Sequence, residues 1–246
     1  MKTYNSNELP RRKRTEYQPK KTKTKYAASG RGINPKEIKM IKAIIFDMDG
    51  VLIEAKDWHY ESLNKALNFF GEEISRYDHL VTFDGLPTRK KLEMLSKIGE
   101  LPVELHSLIN DLKQKFTTEL VYSKCQPVFC HQYALSKLKA EGYKLAVCSN
   151  SIRRTIEIMM ERADLLKYLD FFLSNEDVVK SKPDPEIYEK AIEQLKLNPE
   201  ECLILEDNEN GIKAAIASKA HLLRIHAVED VTYLNIMNKI NEITLI

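Results

Sequence analysis

An α/β fold is predicted for this chain: a Rossmann-like parallel sheet with helices on both faces, into which an all-helical cap subdomain is inserted. Three observations predict it. Short apolar runs rich in Ile, Leu and Val recur from Ile41 to Ile225 and alternate with amphipathic stretches. That is the pattern of a parallel sheet covered on both sides. The interval from about Glu54 to Pro127 breaks the alternation and reads as helix throughout. The length of 246 residues suffices for one sizeable core plus such an insertion.

Residues 1–40 form a leader with few aliphatic side chains and two basic clusters, Arg11-Arg-Lys-Arg14 and Lys20-Lys-Thr-Lys-Thr-Lys25. Such a segment cannot bury enough apolar surface to offset its ordering entropy, so disorder is expected. The first strand, Ala43–Phe46, is brief, isoleucine-rich and closed by a turn. Residues 54–127 supply the cap, with helices over Trp58–Phe70, Thr88–Lys97 and Val103–Tyr122, each with apolar residues three and four apart. Residues 41–53 and 128–246 make the core. Its further strands are Lys144–Cys148, Phe171–Leu173, Cys202–Leu205 and Leu222–Ile225. Its helices lie near Gln132–Glu141, Ile152–Ala163, Glu186–Leu195 and Gly211–Lys219.

Composition narrows the class. Of 38 Lys+Arg and 36 Asp+Glu residues, 13 and 3 lie in residues 1–42, leaving 25 and 33 for the rest. A mildly acidic domain therefore follows a strongly basic leader. The leader reads as a solvated tail, as an arm for nucleic acid or another anionic surface, or as a nuclear import signal in a eukaryotic host. No apolar run approaches the roughly 20 residues that span a bilayer, so no membrane partner is expected. The start lacks the apolar core of a secretory signal, so a cytoplasmic location is expected, or a nuclear one in a eukaryote. The four cysteines are irregularly spaced and read as free thiols. Cys125, Cys130 and His131 have no matching second pair for zinc.

Four small constellations fall at or beyond predicted strand ends: Asp47-Met-Asp49-Gly50, Ser149-Asn150-Ser151, Lys182-Pro-Asp184-Pro185 and Glu206-Asp207-Asn208. Asp47 and Asp49 point the same way in an extended strand. They suit a cation, a covalent nucleophile with its acid/base partner, or both. Each constellation alone has a bland reading. Ser-Asn-Ser before a helix is commonly a cap, and Lys-Pro-Asp-Pro commonly starts a helix. Their shared position at one sheet edge gives them weight, because that is where open α/β sheets bind ligands.

In these four motifs, in this order and with a helical insertion after the first, the chain resembles the haloacid dehalogenase-like superfamily. The likeness spans Lys42 to about Ile225. It is nearest the subgroup containing β-phosphoglucomutase and phosphoglycolate phosphatase, and includes Glu206-Asp-Asn-x-Asn-Gly211-Ile-Lys-Ala-Ala215. The resemblance implies a Mg²⁺-dependent phosphatase of a small phosphorylated metabolite, such as a sugar or polyol phosphate. Asp47 would be the nucleophile that forms an aspartyl-phosphate. Asp49 would act as general acid and base. Ser149 and Asn150 would hold phosphate oxygens, aided by a helix starting near Ser151. Lys182 would offset negative charge, and Asp184 would orient its loop. The metal set would be Asp47, the Asp49 carbonyl and Asp207, with Glu206 as ligand or close neighbour.

From the cap, His59 and Arg89 would bind substrate, with Lys90 a weaker substitute for Arg89; Trp58 reads as a cap core residue. Asp49 disfavours dehalogenation, whose branch lacks this second acid. A phosphonate-cleaving cap lysine cannot be assigned among Lys56, Lys65 and Lys90. A phosphomutase and a nucleic-acid-associated phosphatase using the leader are the alternatives. The chain departs from the subgroup at Ile53-Glu54-Ala55 and at Lys219-Ala220, the second bearing on how a helix is capped.

Overall fold

The computed structural model describes residues 41–99 and 101–245, and the expectations for the leader lie outside them. Five strands form one parallel sheet: β1 (Ala43–Phe46), β2 (Lys144–Cys148), β3 (Phe171–Leu173), β4 (Cys202–Glu206) and β5 (His221–Arg224), in the order β3-β2-β1-β4-β5. β1 is central. Phe46 stands opposite Val147 of β2 and Leu205 of β4. The connections diverge to opposite sides at the β1/β4 boundary, so the C-terminal end of β1 opens into a crevice between them.

Side-chain alternation along the strands divides the core. Ile44, Phe46, Leu145, Val147, Leu203 and Leu205 face one layer, built by α5 (Phe129–Ala140), α6 (Arg153–Arg162) and α9 (Tyr233–Thr244). Ala43, Ile45, Ala146, Cys148 and Ile204 face the other, covered by α7 (Glu186–Leu195) and α8 (Glu209–Ala217). β1 is wholly buried, which is why it reads as a continuous apolar run.

The insertion folds as α1 (Lys56–Leu67), the single turn α2 (Arg76–Asp78) with a π-helical turn at His79–Phe83, α3 (Thr88–Lys97) and α4 (His106–Lys124). It has its own apolar cluster, with Leu63 and Leu67 of α1, Leu92 and Leu95 of α3, and Ile109 and Phe116 of α4. A fully buried Leu or Ile contributes roughly 1.5–3 kcal/mol, so this cluster holds the helices together independently of the sheet. Trp58, expected in the cap core, packs instead against the sheet-side cluster.

Three departures from expectation have local causes. α6 begins at Arg153, one residue later than expected, because Ile152 is extended (ψ 154°); the first helical N–H, which no turn of helix satisfies, is held by the Glu176 carboxylate at 2.6 Å. α9 was not predicted; its buried Ile236 and Ile240, with the partly buried Tyr233, Met237 and Ile243, close the first layer. After α8, Lys219 takes the left-handed backbone (φ 65°) that glycine more commonly supplies. Among the described residues no helix is long and apolar enough to cross a membrane.

Candidate active site

Asp47 ends β1 at the crevice, with its backbone N–H held by Leu205 O at 3.0 Å. The residue is 8% exposed. Lys182 Nζ donates to Asp47 Oδ1 and to Glu206 Oε1, each at 2.6 Å, and to Cys148 O at 2.9 Å. Tyr188 from α7 also donates to Glu206 Oε1, and Asp207 N donates to Glu206 Oε2. The sequence reading offered Glu206 as a metal ligand or a close neighbour of the metal. Here it is occupied as the anchor of Lys182. Burial and the neighbouring Glu206 charge hold Asp47 well above the usual carboxylate range, against the pull of Lys182. Burial works to lower the Lys182 pKa, but Asp47 and Glu206 outweigh it and raise the value.

Asp49 is held from both sides. His59 Nε2 lies 3.0 Å from Asp49 Oδ1, while Ser151 Oγ and Ser149 Oγ donate to Oδ2 at 3.1 and 3.4 Å. Burial works to raise the Asp49 pKa, but His59 and Ser151 prevail and hold it below the ordinary value. Burial and the nearby Lys113 lower the His59 pKa against the pull of Asp49. A neutral imidazole fits its contacts: Nε2–H donates to Asp49, and Nδ1 accepts from Lys113 Nζ at 3.2 Å.

The cap loop closes on the core beside this pair. Asn150 Nδ2 donates to Gly85 O at 2.9 Å, and Asn150 Oδ1 accepts from Lys182 N at 3.1 Å. Asn208 Nδ2 donates to Asp84 Oδ2 at 2.7 Å. Asn150 therefore fastens the cap to the Lys182 loop, with both ends of its amide engaged by protein. Asp184 Oδ1 accepts from Glu186 N at the start of α7.

Arg89, expected to grip substrate, lines the cavity beneath the cap, with its side chain 88% exposed and paired with Glu93 at 2.9 Å. Lys91, two residues on, is buried and faces inward, as does Lys113 of α4. Both line this cavity, of about 830 Å³, together with Asp47, Asp49, His59, Ser149 and Lys182. The sequence reading missed both lysines. Their signal was position: Lys91 precedes the inward Leu92 and Leu95, and Lys113 falls between Ile109 and Phe116.

The donor set suits a hard divalent cation. Carboxylate oxygens of Asp47, Glu206 and Asp207 lie within 4.8 Å of one another. Both Asp207 side-chain oxygens are buried without a hydrogen bond, although Lys56 Nζ approaches Oδ2 at 2.6 Å as an ion pair out of hydrogen-bond alignment. Asp47 and Glu206 each accept from Lys182 through one oxygen, and all three carboxylates remain candidates to bind. The Cys125–Cys130–His131 run forms no comparable cluster: Cys125 Sγ contacts Met159 O, and His131 Nε2 contacts Val228 O.

Two glycines shape these acids. Gly50 has φ +86°, and a Cβ there would overlap the Asp207 carboxylate. Gly211, inside α8, leaves room for Glu206, which a Cβ would overlap. A Gly→Ala change inside a helix ordinarily stabilises by up to about 1 kcal/mol. Gly211→Ala is expected to do the opposite and cost about 1–3 kcal/mol in a urea melt, through overpacking of Glu206. A gain in stability would show that Glu206 has room to move away.

Known proteins resemble this chain. A phosphorylated carbohydrates phosphatase of Thermotoga maritima is 30% identical over 191 residues, covering 76% of this chain and 85% of the relative. A pyrophosphatase of Bacillus mycoides is 29% identical over 181 residues, covering 70% and 77%. Among solved structures, a β-phosphoglucomutase from Clostridium difficile matches with a TM-score of 0.73 at 21% identity, over 84% of this chain and all of that one, and shares the fold. The family model for haloacid dehalogenase-like hydrolases matches residues 44–225, which takes in every strand from Ile44 of β1 to β5 and the cap between. The chain belongs to the haloacid dehalogenase-like hydrolase family.

Proposed function

We propose that this chain is a Mg²⁺-dependent phosphatase of small phosphorylated carbohydrates, sugar or polyol phosphates, working through an aspartyl-phosphate on Asp47. One observation carries the reading: a buried carboxylate at the mouth of the central strand, bonded to Lys182, with Asp49 two residues on under a closed cap. Likeness to the phosphatase of Thermotoga maritima supports the substrate class.

Asp47 attacks phosphorus in line, forming the acyl phosphate as the P–O bond to the alcohol breaks. Asp49 gives that leaving oxygen its proton. Asp49 then takes a proton from water as water attacks phosphorus, releasing phosphate and restoring Asp47. Asp49 enters the first step protonated, and the His59 and Ser151 contacts that hold its pKa down favour the carboxylate it leaves for the second step, where it is the base. Ser149 and the Lys182 ammonium face the transferring oxygens. Asp47 and Asp207, with the Asp49 carbonyl, would hold Mg²⁺, which when bound neutralises charge on the phosphoryl group.

Phosphate release from a panel of phosphorylated sugars and polyols, with Mg²⁺ or a chelator, tests the proposal. Release is expected with Mg²⁺ and loss on chelation, restored by added metal. No release from any member of the panel refutes it. Transfer of phosphate between hydroxyls of one sugar, dependent on a bisphosphorylated activator, would replace hydrolysis by the mutase reaction.

A further inference from the structure

Two lysines meet the acid cluster at the mouth of β1, and they differ in how firmly they are fixed. The Lys182 side chain is 4% exposed and sits between Asp47 and Glu206. The Lys56 side chain is 34% exposed and places Nζ 2.6 Å from Asp207 Oδ2. Phosphoryl transfer at Asp47 uses Lys182 and gives Lys56 no role. The Asp207 side chain is only 4% exposed, and among the described residues neither of its oxygens has a hydrogen-bond partner. A carboxylate this deep is costly unless a cation meets it. Among the described residues, Lys56 is the cation in contact with it.

Position puts this contact on the side of Asp207 that a metal would use. A Cβ at Gly50 would overlap Asp207 Oδ2 and lie 2.8 Å from Lys56 Cε, so that oxygen and the lysine stem share the space over this glycine. The peptide bond entering Gly50 carries the Asp49 carbonyl, the backbone group expected to bind the metal. Charge points the same way. Asp47, Glu206 and Asp207 with the Lys182 ammonium carry a formal −2 (−3 + 1), which a divalent cation cancels. Lys56 takes up half of that charge, and metal and Lys56 together would leave the substrate-free cluster at +1 (−2 + 2 + 1). Lys56 is also free to leave. Its half-exposed stem reaches solvent, and Glu54 and Asp84 stand in its electrostatic reach as other counter-charges.

We infer that Lys56 is a tethered competitor of the divalent cation: in the substrate-free protein its ammonium occupies Asp207, and metal binding displaces it toward solvent. The inference rests on the reading of Asp207 as a metal ligand and is independent of which phosphate ester is cleaved. The exchange has two consequences. Without metal, Asp207 keeps a counter-charge, so the folded protein does not depend on metal to hold its buried acids together. With metal, part of the binding energy goes to displacing the lysine, so affinity is lower than the same acids would give alone. Lys182 cannot act this way, because it is buried and shared between two carboxylates.

Calorimetric titration of Mg²⁺ into the full-length, substrate-free protein tests the competition. Lys56→Met keeps the stem and removes the charge. It is expected to bind Mg²⁺ about tenfold or more tighter than the parent, a modest share of what one unit charge exerts a few ångströms away. Its metal-free Tm is expected to fall, and its gain in Tm on adding Mg²⁺ to exceed that of the parent. Lys56→Arg keeps the charge and is expected not to gain affinity. Lys65→Met removes a charge from the same helix at an exposed pair with Glu119, and is expected to stay within about threefold of the parent. Weaker Mg²⁺ binding by Lys56→Met overturns the inference, because Lys56 would then be steadying Asp207 for the metal. Equal binding by Lys56→Met and Lys65→Met overturns it as well. Absence of Mg²⁺ binding by every one of these proteins removes the metal reading and this inference with it. Phosphate release is scored separately: failure of the whole sugar and polyol panel, with the Mg²⁺ contrast intact, defeats the phosphatase reading alone.

Discussion

Replacing Asp47 with Asn is expected to lower kcat by about four orders of magnitude or more, the scale seen when a covalent nucleophile is removed. The amide keeps the shape of the carboxylate but cannot form an acyl phosphate. Stability should move little, or rise. Asp47 is disfavoured as an anion by burial and by Glu206 and Asp207 around it. A neutral isostere removes that penalty, and Lys182 retains Glu206 at 2.6 Å as its counter-charge. Phosphate release and a thermal melt on the same preparation separate chemistry from folding. Full activity in Asp47→Asn would end the aspartyl-phosphate reading, and loss of activity with a large fall in Tm would leave the loss unassigned to chemistry.

Much of this arrangement was legible in the sequence because it follows from periodicity. β1, β2 and β3 stand at their predicted bounds, since each is a short apolar run closed by a polar turn. α3 and α7 also match, because their apolar residues recur at helical spacing and proline precedes each. The four motifs meet because a parallel sheet brings its strand ends to one edge.

What escaped reading has physical causes. Arg89 lines the cavity, but it stands about 200° round α3 from the buried Lys91, and its side chain is 88% exposed. An i,i+4 pair with Glu93 engages its guanidinium. Glu206 looked like one more acid for a metal. Its role depends on Tyr188, which only the packing of α7 against the sheet brings near. Apolar spacing marks the faces of α3 and α4 that carry Lys91 and Lys113 as inward, but the burial of both lysines needs the tertiary contact of the two helices above the cavity.

Replacing Lys182 with Met is expected to cost about 3–5 kcal/mol of stability, the range for removing one partner of a buried ion pair. Lys182 is 3% exposed, and its ammonium lies between two buried carboxylates. Methionine fills a similar volume but leaves Asp47 and Glu206 facing one another without a cation. The size of the loss should depend on how many acids remain. Lys182→Met combined with Glu206→Gln removes one of them and is expected to recover part of the loss, a coupling of about 1–3 kcal/mol in a double-mutant cycle.

Activity should stay low in both, by about a hundredfold or more, because the phosphoryl oxygens have lost a fixed positive charge whatever the stability. Lys190→Met supplies the contrast. Lys190 also pairs with a glutamate, Glu186 at 3.2 Å, but its side chain is 44% exposed. Water screens that pair, so its loss should stay within about 0.5 kcal/mol. Urea melts of the parent, Lys182→Met, Glu206→Gln, their double variant and Lys190→Met decide the matter. If Lys182→Met costs no more than Lys190→Met, the acids have been neutralised by protons, and Lys182 is not what holds Asp47 ready to attack.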